Sequence, residues 1–382
     1  MRRDDKIQDR EPFSGFYRGR RVLITGDTGF KGSWMSWWLH RLGAEVTGFA
    51  LPPAHERGVY NAARIDQRIR HLDGNVRDFS ALASALEQAR PEVVFHLAAQ
   101  AIVRESFERP LETTATNVMG TVHLMEAVRL SGLAPAVVVV TSDKCYENLE
   151  WPHGYREVDP MGGADVYSAS KAAAEVLVAS YRRSFLAAGG GEAAQVATAR
   201  AGNVIGPGDW AKDRIVVDAV SALFEGQPFV VRNPVSTRPW QHVLEPLSGY
   251  LWLATRLNGE HGEDFAEAWN FGPLPTAARS VRDLADLLCA AWGGGQWHQE
   301  PSPSGPREAT FLRLCIDKAA ARLGWSPAYD FDTAVRRTVA GYLDIDAAQG
   351  PEAVRAVLER EIDIYEAAAA ALGVEWTTAG TG

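Results

Sequence analysis

Cysteine is scarce in this chain. Its three thiols, Cys145, Cys289 and Cys315, are an odd number without a CxxC pair, which speaks against a disulfide scaffold and a zinc site; no metal is expected. No apolar run reaches the ~18 residues of a membrane span, and the opening MRRDD leads into no apolar stretch of the kind a secretory signal needs. Positive charge is not in excess. The formal net charge is -9, the wrong sign for a general nucleic-acid binder, whose phosphate contacts need clustered Lys and Arg. Fixed-period repeats and low-complexity tracts are missing too. The expectation left standing is a cytoplasmic, enzyme-sized protein working on a small molecule. At 382 residues it exceeds the ~250–300 at which one hydrophobic core usually stops growing, so two core regions are expected.

Residues 1–20 are polar and mixed in charge and read as a flexible leader. From Arg21 short apolar runs alternate with amphipathic stretches. Strands are predicted at Arg21–Thr25, Glu45–Ala50, Arg68–Leu72, Val93–Leu97, Ala136–Val140 and Gln195–Ala199, mostly β-branched, as strands covered on both faces are. The first intervening helix gathers Trp34, Met35, Trp38, Leu39 and Leu42 on one face. This alternation predicts an α/β fold, a doubly wound parallel Rossmann sheet over residues 21–202, with ligands beyond the carboxyl ends of its strands. After Gly202 the rhythm breaks at Gly206-Pro207-Gly208, Asn233-Pro234 and Arg238-Pro239, with helices expected near Lys212–Phe224, Leu244–Leu257 and Val281–Trp292. Residues 203–343 read as a smaller, mainly helical C-terminal substrate lobe, some of whose strands rejoin the main sheet, and 344–382 as one long helix with a loose tail.

Chemistry concentrates in three places. Gly26, Thr28, Gly29, Phe30, Lys31 and Gly32 form a GxxGxxG turn between the first strand and helix. A tight turn, close backbone approach to a pyrophosphate and close helix–strand packing each need a missing Cβ, and the helix N-terminus offers free N–H groups to phosphates. This predicts a dinucleotide site. A P-loop is excluded, because Lys31 precedes the last glycine. The acidic residue normally found about 20 positions on is missing from Phe49-Ala50-Leu51-Pro52-Pro53, and no arginine sits there, although Arg57 is not far along; NAD and NADP both stay open. Second, Tyr167 and Lys171 lie four apart on one helix face, with Ser142 at an earlier strand end. A nearby ammonium is expected to pull the phenol down toward neutrality, where it can exchange a proton with a sugar hydroxyl that Ser142 holds. Third, Thr141-Ser142-Asp143-Lys144-Cys145-Tyr146 places charge at a carboxyl end of the sheet, where it is costly without a partner or a task. Cys145 reads as a small buried residue, and His96 as a satisfied core histidine.

The glycine turn, His96-Leu97-Ala98-Ala99-Gln100, Asn117-Val118-Met119-Gly120-Thr121 and YxxxK resemble the extended short-chain dehydrogenase/reductases that act on nucleotide sugars. GFKGSW (Gly29–Trp34), TSDKCY, GYRE (Gly154–Glu157), RAGNVIG (Arg200–Gly206), GDWAKDR (Gly208–Arg214) and RPWQHVLEPLSGY (Arg238–Tyr250) are similar to the 4,6-dehydratase branch that takes CDP-D-glucose, from about Arg21 to about Tyr342. Lys144 is the mark of that branch. The chain departs from it at Pro52, where an Asp is usual, in Gly74-Asn75-Val76-Arg77-Asp78, and in Ile215-Val216-Val217, which lacks a usual proline; the first two touch the adenosine end of the cofactor.

The resemblance implies an internal redox cycle on a retained NAD: oxidation at C4, loss of water across C5 and C6, and hydride return to C6. It makes Ser142, Asp143, Lys144, Tyr167 and Lys171 catalytic, with Tyr167 taking the C4 hydroxyl proton, Lys144 the base at C5 and Asp143 the acid at C6. Lys144 would have to be neutral, which burial beside Lys171 would favour. The cofactor would also be met by Asn75, Val76, Leu97, Ala98, Ala99, Gln100, Asn117 and Thr141. The nucleotide sugar would be met by Asn203, Trp210, Arg214, Arg232, Asn233, Arg238, His242 and Arg307. The helices near Glu112–Ser131 and Tyr167–Leu186 resemble the superfamily's dimer-forming pair, so a homodimer or homotetramer is expected. A 4-epimerase or ketoreductase shares the glycine turn and YxxxK but needs no acid–base pair at Asp143 and Lys144; a non-catalytic sensor on this fold would usually have lost Tyr167 or Lys171.

Overall fold

The central strands of the main sheet are buried on both faces. In the computed structural model, which describes residues 11–186, 193–274, 279–300 and 311–378, the strands of the first half are β1 (Arg21–Thr25), β2 (Glu45–Ala50), β3 (Arg70–Asp73), β4 (Val93–His96), β5 (Ala136–Val140) and β6 (Gln195–Arg200). The second half adds β7 (Val204–Ile205), β8 (Phe229–Val231), β9 (Thr237–Arg238), β10 (Gln241–His242) and β11 (Ala268–Asn270). The helices are α1 (Phe30–Arg41), α2 (Val59–Ala62), α3 (Phe79–Ala89), α4 (Val103–Glu108), α5 (Pro110–Thr114), α6 (Gly120–Ser131) and α7 (Val166–Tyr181). After them come α8 (Ile215–Phe224), α9 (Leu244–Leu257), α10 (Val281–Trp292), α11 (Asp317–Leu323), α12 (Phe331–Ala347) and α13 (Pro351–Ala371).

Seven strands pair in the order β11-β6-β5-β4-β1-β2-β3, all parallel. Alternate residues feed two cores: Val22, Ile24, Val138 and Val140 pack on the side of α1 and α9, and Leu23, Val137 and Val139 on the side of α3, α6 and α7. This is the doubly wound sheet expected from the sequence. A third core joins α8, α10 and α12 around Val231, Trp240 and Tyr342. A strand of the second half, β11, extends the main sheet, and α9 packs on its face.

Both ends of the chain differ from expectation. Phe13 and Tyr17 are fully buried, so from residue 11 the segment read as a leader is part of the core. Phe13 stacks on Trp376 at 4.9 Å, and Trp38 and Tyr365 close the aromatic cluster. The tail is two helices, broken where Gly350 turns left-handed (φ 87°) ahead of Pro351. Together these segments cover the outer side of α1, which explains why Trp34, Met35, Trp37, Trp38 and Leu39 are all buried on a helix expected to have one apolar face.

Trp376→Ala should therefore lower the unfolding free energy by about 3–5 kcal/mol, measured by denaturant titration. An unchanged midpoint would show that the tail is an ornament to the fold.

Candidate active site

Residues 25–32 turn tightly. Gly26 adopts φ 80°, and a Cβ there would stand 2.7 Å from the Ala98 nitrogen; one on Gly32 would meet the Gly26 carbonyl. At Gly29 only the Gly26 carbonyl is close, at 3.3 Å, so the missing side chain leaves the first amides of α1 bare, a cradle for a pyrophosphate. Around it, Thr28 ties the turn to the end of β2 through the Leu51 carbonyl (2.9 Å), and Asn75 and Val76 follow β3. Leu97, Ala98, Ala99 and Gln100 follow β4, half-buried. Asn117 fixes that loop, accepting from the Gln100 amide (2.8 Å) and donating to the Gln100 carbonyl and Ser170. Phe30 and Lys31 open α1. Arg57 does not stand at the end of β2: its guanidinium stacks 3.9 Å over Trp210 and pairs with Asp346.

The reacting groups meet where β5 ends. Ser142 Oγ donates to Asp143 Oδ1 (3.0 Å) and accepts from the Lys144 amide (3.2 Å), and its hydroxyl favours ionisation of the nearby Tyr167 phenol. Tyr167 and Lys171 share the buried face of α7, whose start is capped by Asp165 accepting from the Ser168 amide. Burial pushes Tyr167 up to about 12, against the pull of Ser142. The expected lowering is not what the pocket itself produces: desolvation outweighs the helpful neighbours. Burial takes Lys171 down to about 8, with Glu175 acting the other way. Lys144 is only partly buried. Asp143 is buried against Gly202, where a Cβ would lie 1.9 Å from its Oδ2.

Thr141 is corrected: its hydroxyl points beneath the site to Glu175 (2.5 Å). Glu175 also takes both ends of the buried Arg200 guanidinium (2.9 Å each) and the Thr198 hydroxyl. Neither Glu175 nor Arg200 was singled out from sequence, though Tyr167, Lys171 and Glu175 repeat every fourth residue and Arg200 opens RAGNVIG. Tyr250 was missed as well. Its buried hydroxyl receives Lys31 Nζ at 3.5 Å and feels the charge of Asp143 and the proximity of Tyr167. Lys31 is lowered to about 7 by burial and then by Arg214 and Lys171, so its amine faces this centre.

Of the expected substrate residues, Asn203 (φ 49°) presents a buried Nδ2 without a partner among the described residues. Arg214 donates to Asp209 (2.5 Å) and acts on both Lys31 and Tyr167. Arg238 is half-buried on β9 and donates to the Thr237 carbonyl. Arg232 and Asn233 are exposed, Arg232 reaching Asp213 at 3.5 Å. Two others are packed among neighbouring side chains. His242 is fully enclosed on β10 with its ring edge against Tyr329, and burial pushes its pKa down to about 3; it is a core residue. Trp210 is held between Arg57 and Tyr342, as packing of the second lobe. Arg307 lies outside the described residues. His96 is the satisfied core histidine expected, bonded to Thr25 and Thr121. Among the described residues there is no cluster of potential metal ligands and no helix long and apolar enough to cross a membrane.

A glycine turn at the switch of a doubly wound sheet, facing a Ser–Tyr–Lys set, defines a short-chain dehydrogenase/reductase. Within that class the chain belongs to the GDP-mannose 4,6 dehydratase family, whose model matches residues 23–338. It is 46% identical over 326 residues to a CDP-glucose 4,6-dehydratase of Salmonella typhimurium, covering 85% of this chain and 90% of that one. Among solved structures, a dTDP-glucose 4,6-dehydratase of Streptomyces venezuelae with NAD bound superposes with TM-score 0.71 at 25% identity, over 84% of this chain and 96% of that one. The UDP-glucose 4-epimerase of Thermus thermophilus, also with NAD, gives TM-score 0.73 at 25% identity over 86% and 100%.

Gly202→Ala should cut turnover about a hundredfold or more by displacing the Asp143 carboxylate, with thermal stability near that of the parent. Full activity in that variant would show that Asp143 is free to move without consequence.

Proposed function

We propose that this protein converts CDP-D-glucose to CDP-4-keto-6-deoxy-D-glucose, with NAD retained in the pocket. The observation that carries this reading is the buried Asp143 hydrogen-bonded to Ser142 beside Tyr167, with Lys144 next in sequence. An epimerase needs the Ser–Tyr–Lys set alone; an acid and an amine added at the same strand end suit the removal of water. The 46% identity to a CDP-glucose 4,6-dehydratase points the same way. The Gly26–Gly32 turn fits a dinucleotide diphosphate. Arg57, engaged with Trp210 and Asp346, is not placed to receive a 2′-phosphate at β2, which favours NAD over NADP.

Bound NAD supplies a reversible two-electron acceptor. The side chains handle the protons. Tyr167 takes the proton of the C4 hydroxyl, aided by Ser142 and by the positive charge of Lys171. The ketone so formed acidifies the C5 hydrogen, which Lys144 removes. Asp143 protonates the C6 hydroxyl as it leaves as water. Asn203, Arg214 and Arg238 take the diphosphate, Arg by its bidentate fork, and Arg232 and Asn233 serve the pyrimidine.

The helices α5 and α7 and the turn leading into α6 expose Leu111, Val176 and Met119, an apolar surface that suits pairing with a second copy. We read the protein as a cytoplasmic homodimer, or a homotetramer, in deoxysugar formation.

Incubated with CDP-, dTDP-, GDP- and UDP-hexoses, the protein should release a dehydrated 4-keto-6-deoxy product from CDP-glucose, seen by mass spectrometry without net reduction of added NAD. Stoichiometric NADH would make it a plain dehydrogenase. Lys144→Met should still oxidise C4 but no longer take up solvent deuterium at C5, with turnover down about a hundredfold or more; unchanged turnover would end the assignment of Lys144. Val176→Glu should shift the sedimentation coefficient to that of a monomer, and a dimer that survives it would place the interface elsewhere.

A further inference from the structure

One carboxylate of the dinucleotide cradle plays no part in the proposed reaction. Asp27 lies between Gly26 and Thr28 in the turn, with its side chain fully buried. The carboxylate points at the middle of β2, where a Cβ on Gly48 would stand 2.1 Å from Oδ2. There Oδ2 accepts from His71 Nδ1 of β3 at 2.7 Å, while Oδ1 is buried without a hydrogen-bond partner among the described residues. The other ring nitrogen of His71, Nε2, faces Asp73 Oδ1 at 3.3 Å. A neutral imidazole has one N–H, and only the imidazolium donates from both nitrogens. A ring set between two carboxylates is therefore arranged to carry a proton.

We propose that His71 is a positioning residue for the cofactor: as an imidazolium it cancels the charge of Asp27 in the cradle, and when it loses that proton the cradle holds the dinucleotide diphosphate less tightly. With His71 protonated, the Asp27–His71 pair is neutral overall, and the first amides of α1 meet the diphosphate unopposed. With His71 neutral, a buried anion is left in the same turn, where screening by water is weak and negative charge repels the phosphates. The Asp27 backbone lies against the first turn of α1, since a Cβ on Gly32 would come 2.8 Å from the Asp27 Cα.

The groups around His71 act in the same sense. Asp27 comes from the turn and Asp73 from its own strand, and Tyr60 of α2 meets the imidazole edge to face with ring centroids 5.6 Å apart. Asp66, between α2 and β3, is paired with Arg64 at 3.0 Å. The hydrogen bond to Asp27 raises His71 above its ordinary 6.5, against the effect of burial. The sign follows by linkage. Affinity for the cofactor is highest below the His71 titration and falls as pH rises through it, and binding the cofactor takes up a proton.

The test is the NADH affinity of the full-length protein, read from nicotinamide fluorescence between about pH 6 and about pH 9. His71→Gln keeps a hydrogen-bond donor without the charge. It should bind NADH about tenfold more weakly than the parent at the acid end and equally well at the alkaline end. Asp73→Asn, an exposed change, should move the parent's loss of affinity to lower pH, because one carboxylate no longer holds the proton on the ring. Calorimetry in buffers of different ionisation enthalpy should show the parent taking up protons as NADH binds near neutrality, and His71→Gln taking up fewer. Lys31 and Lys171 also titrate in this range, at about 7 and about 8. A deficit in His71→Gln that is the same at every pH would assign the pH dependence to them, and it overturns the proposal, as does the absence of any deficit. If His71→Gln does not fold, an unmoved profile in Asp73→Asn overturns it. No sugar nucleotide enters the assay, so its outcome is independent of the dehydratase reading.

Discussion

The site depends on one buried ion pair. Glu175 and Arg200 are 2% and 1% exposed at their side chains, and they join three elements that carry chemistry. Glu175 sits one helical turn beyond Lys171 on α7; Thr141, bonded to it, immediately precedes Ser142 on β5; Arg200 and Thr198 end β6. Arg200 also donates to Tyr146, which donates in turn to Asn270 on β11 (2.8 Å). Taking two such charges from water is expensive, and breaking a buried pair by removing one partner costs about 3–5 kcal/mol. Each Glu175 oxygen accepts two hydrogen bonds, and a network satisfied to this degree specifies one arrangement. The consequence is positional: β5, which ends just before Ser142, and α7, which carries Tyr167 and Lys171, are tied together through the Glu175 carboxylate.

Above that pair, the pocket is crowded with positive charge. Arg214 and Lys171 act on Lys31, opposed by Asp143 and Asp209. Burial and mutual repulsion bring Lys31 to about 7 and burial brings Lys171 to about 8. Such an enclosure suits an anionic guest. A nucleotide diphosphate brings the charge that the cations lack, so binding the substrate and settling the electrostatics of the pocket are the same event. Tyr167, pushed up by burial, is likewise a poor base until positive charge stands beside it.

Much of this was legible from the residues. Short, mostly β-branched apolar runs pointed to the strands of the sheet, because strands covered on both faces have little freedom of composition. Leu244–Leu257 and Val281–Trp292 were read to the residue, the second behind a Ser280–Asp283 capping box. The glycine turn and the Tyr167–Lys171 spacing are local signals, and they survived. What was illegible depends on distance along the chain. Nothing near Phe13 announces that Trp376 will stack on it, and nothing near His242 says that Tyr329 will enclose it. Thr141 was misread for the same reason: a hydroxyl at a strand end can face up to a ligand or down to a carboxylate, and Glu175, on α7, decides it.

The closing of the chain on itself bears on the chemistry. The helix whose N-terminus forms the dinucleotide cradle, α1, is clasped on its outer side by α13, through Trp38 and Arg41 to Glu366 and Arg41 to Asp363. Arg355 of α13 donates to the Ala63 and Arg64 carbonyls, pinning the chain between β2 and β3. The adenosine end is where this chain lacks the acidic side chain usual after β2. A cradle held rigid from outside loses less freedom when the cofactor settles, and so needs fewer direct contacts for the same affinity. The C-terminal helix, beyond the residues matched to the family, thereby supports retention of a cofactor that never has to leave.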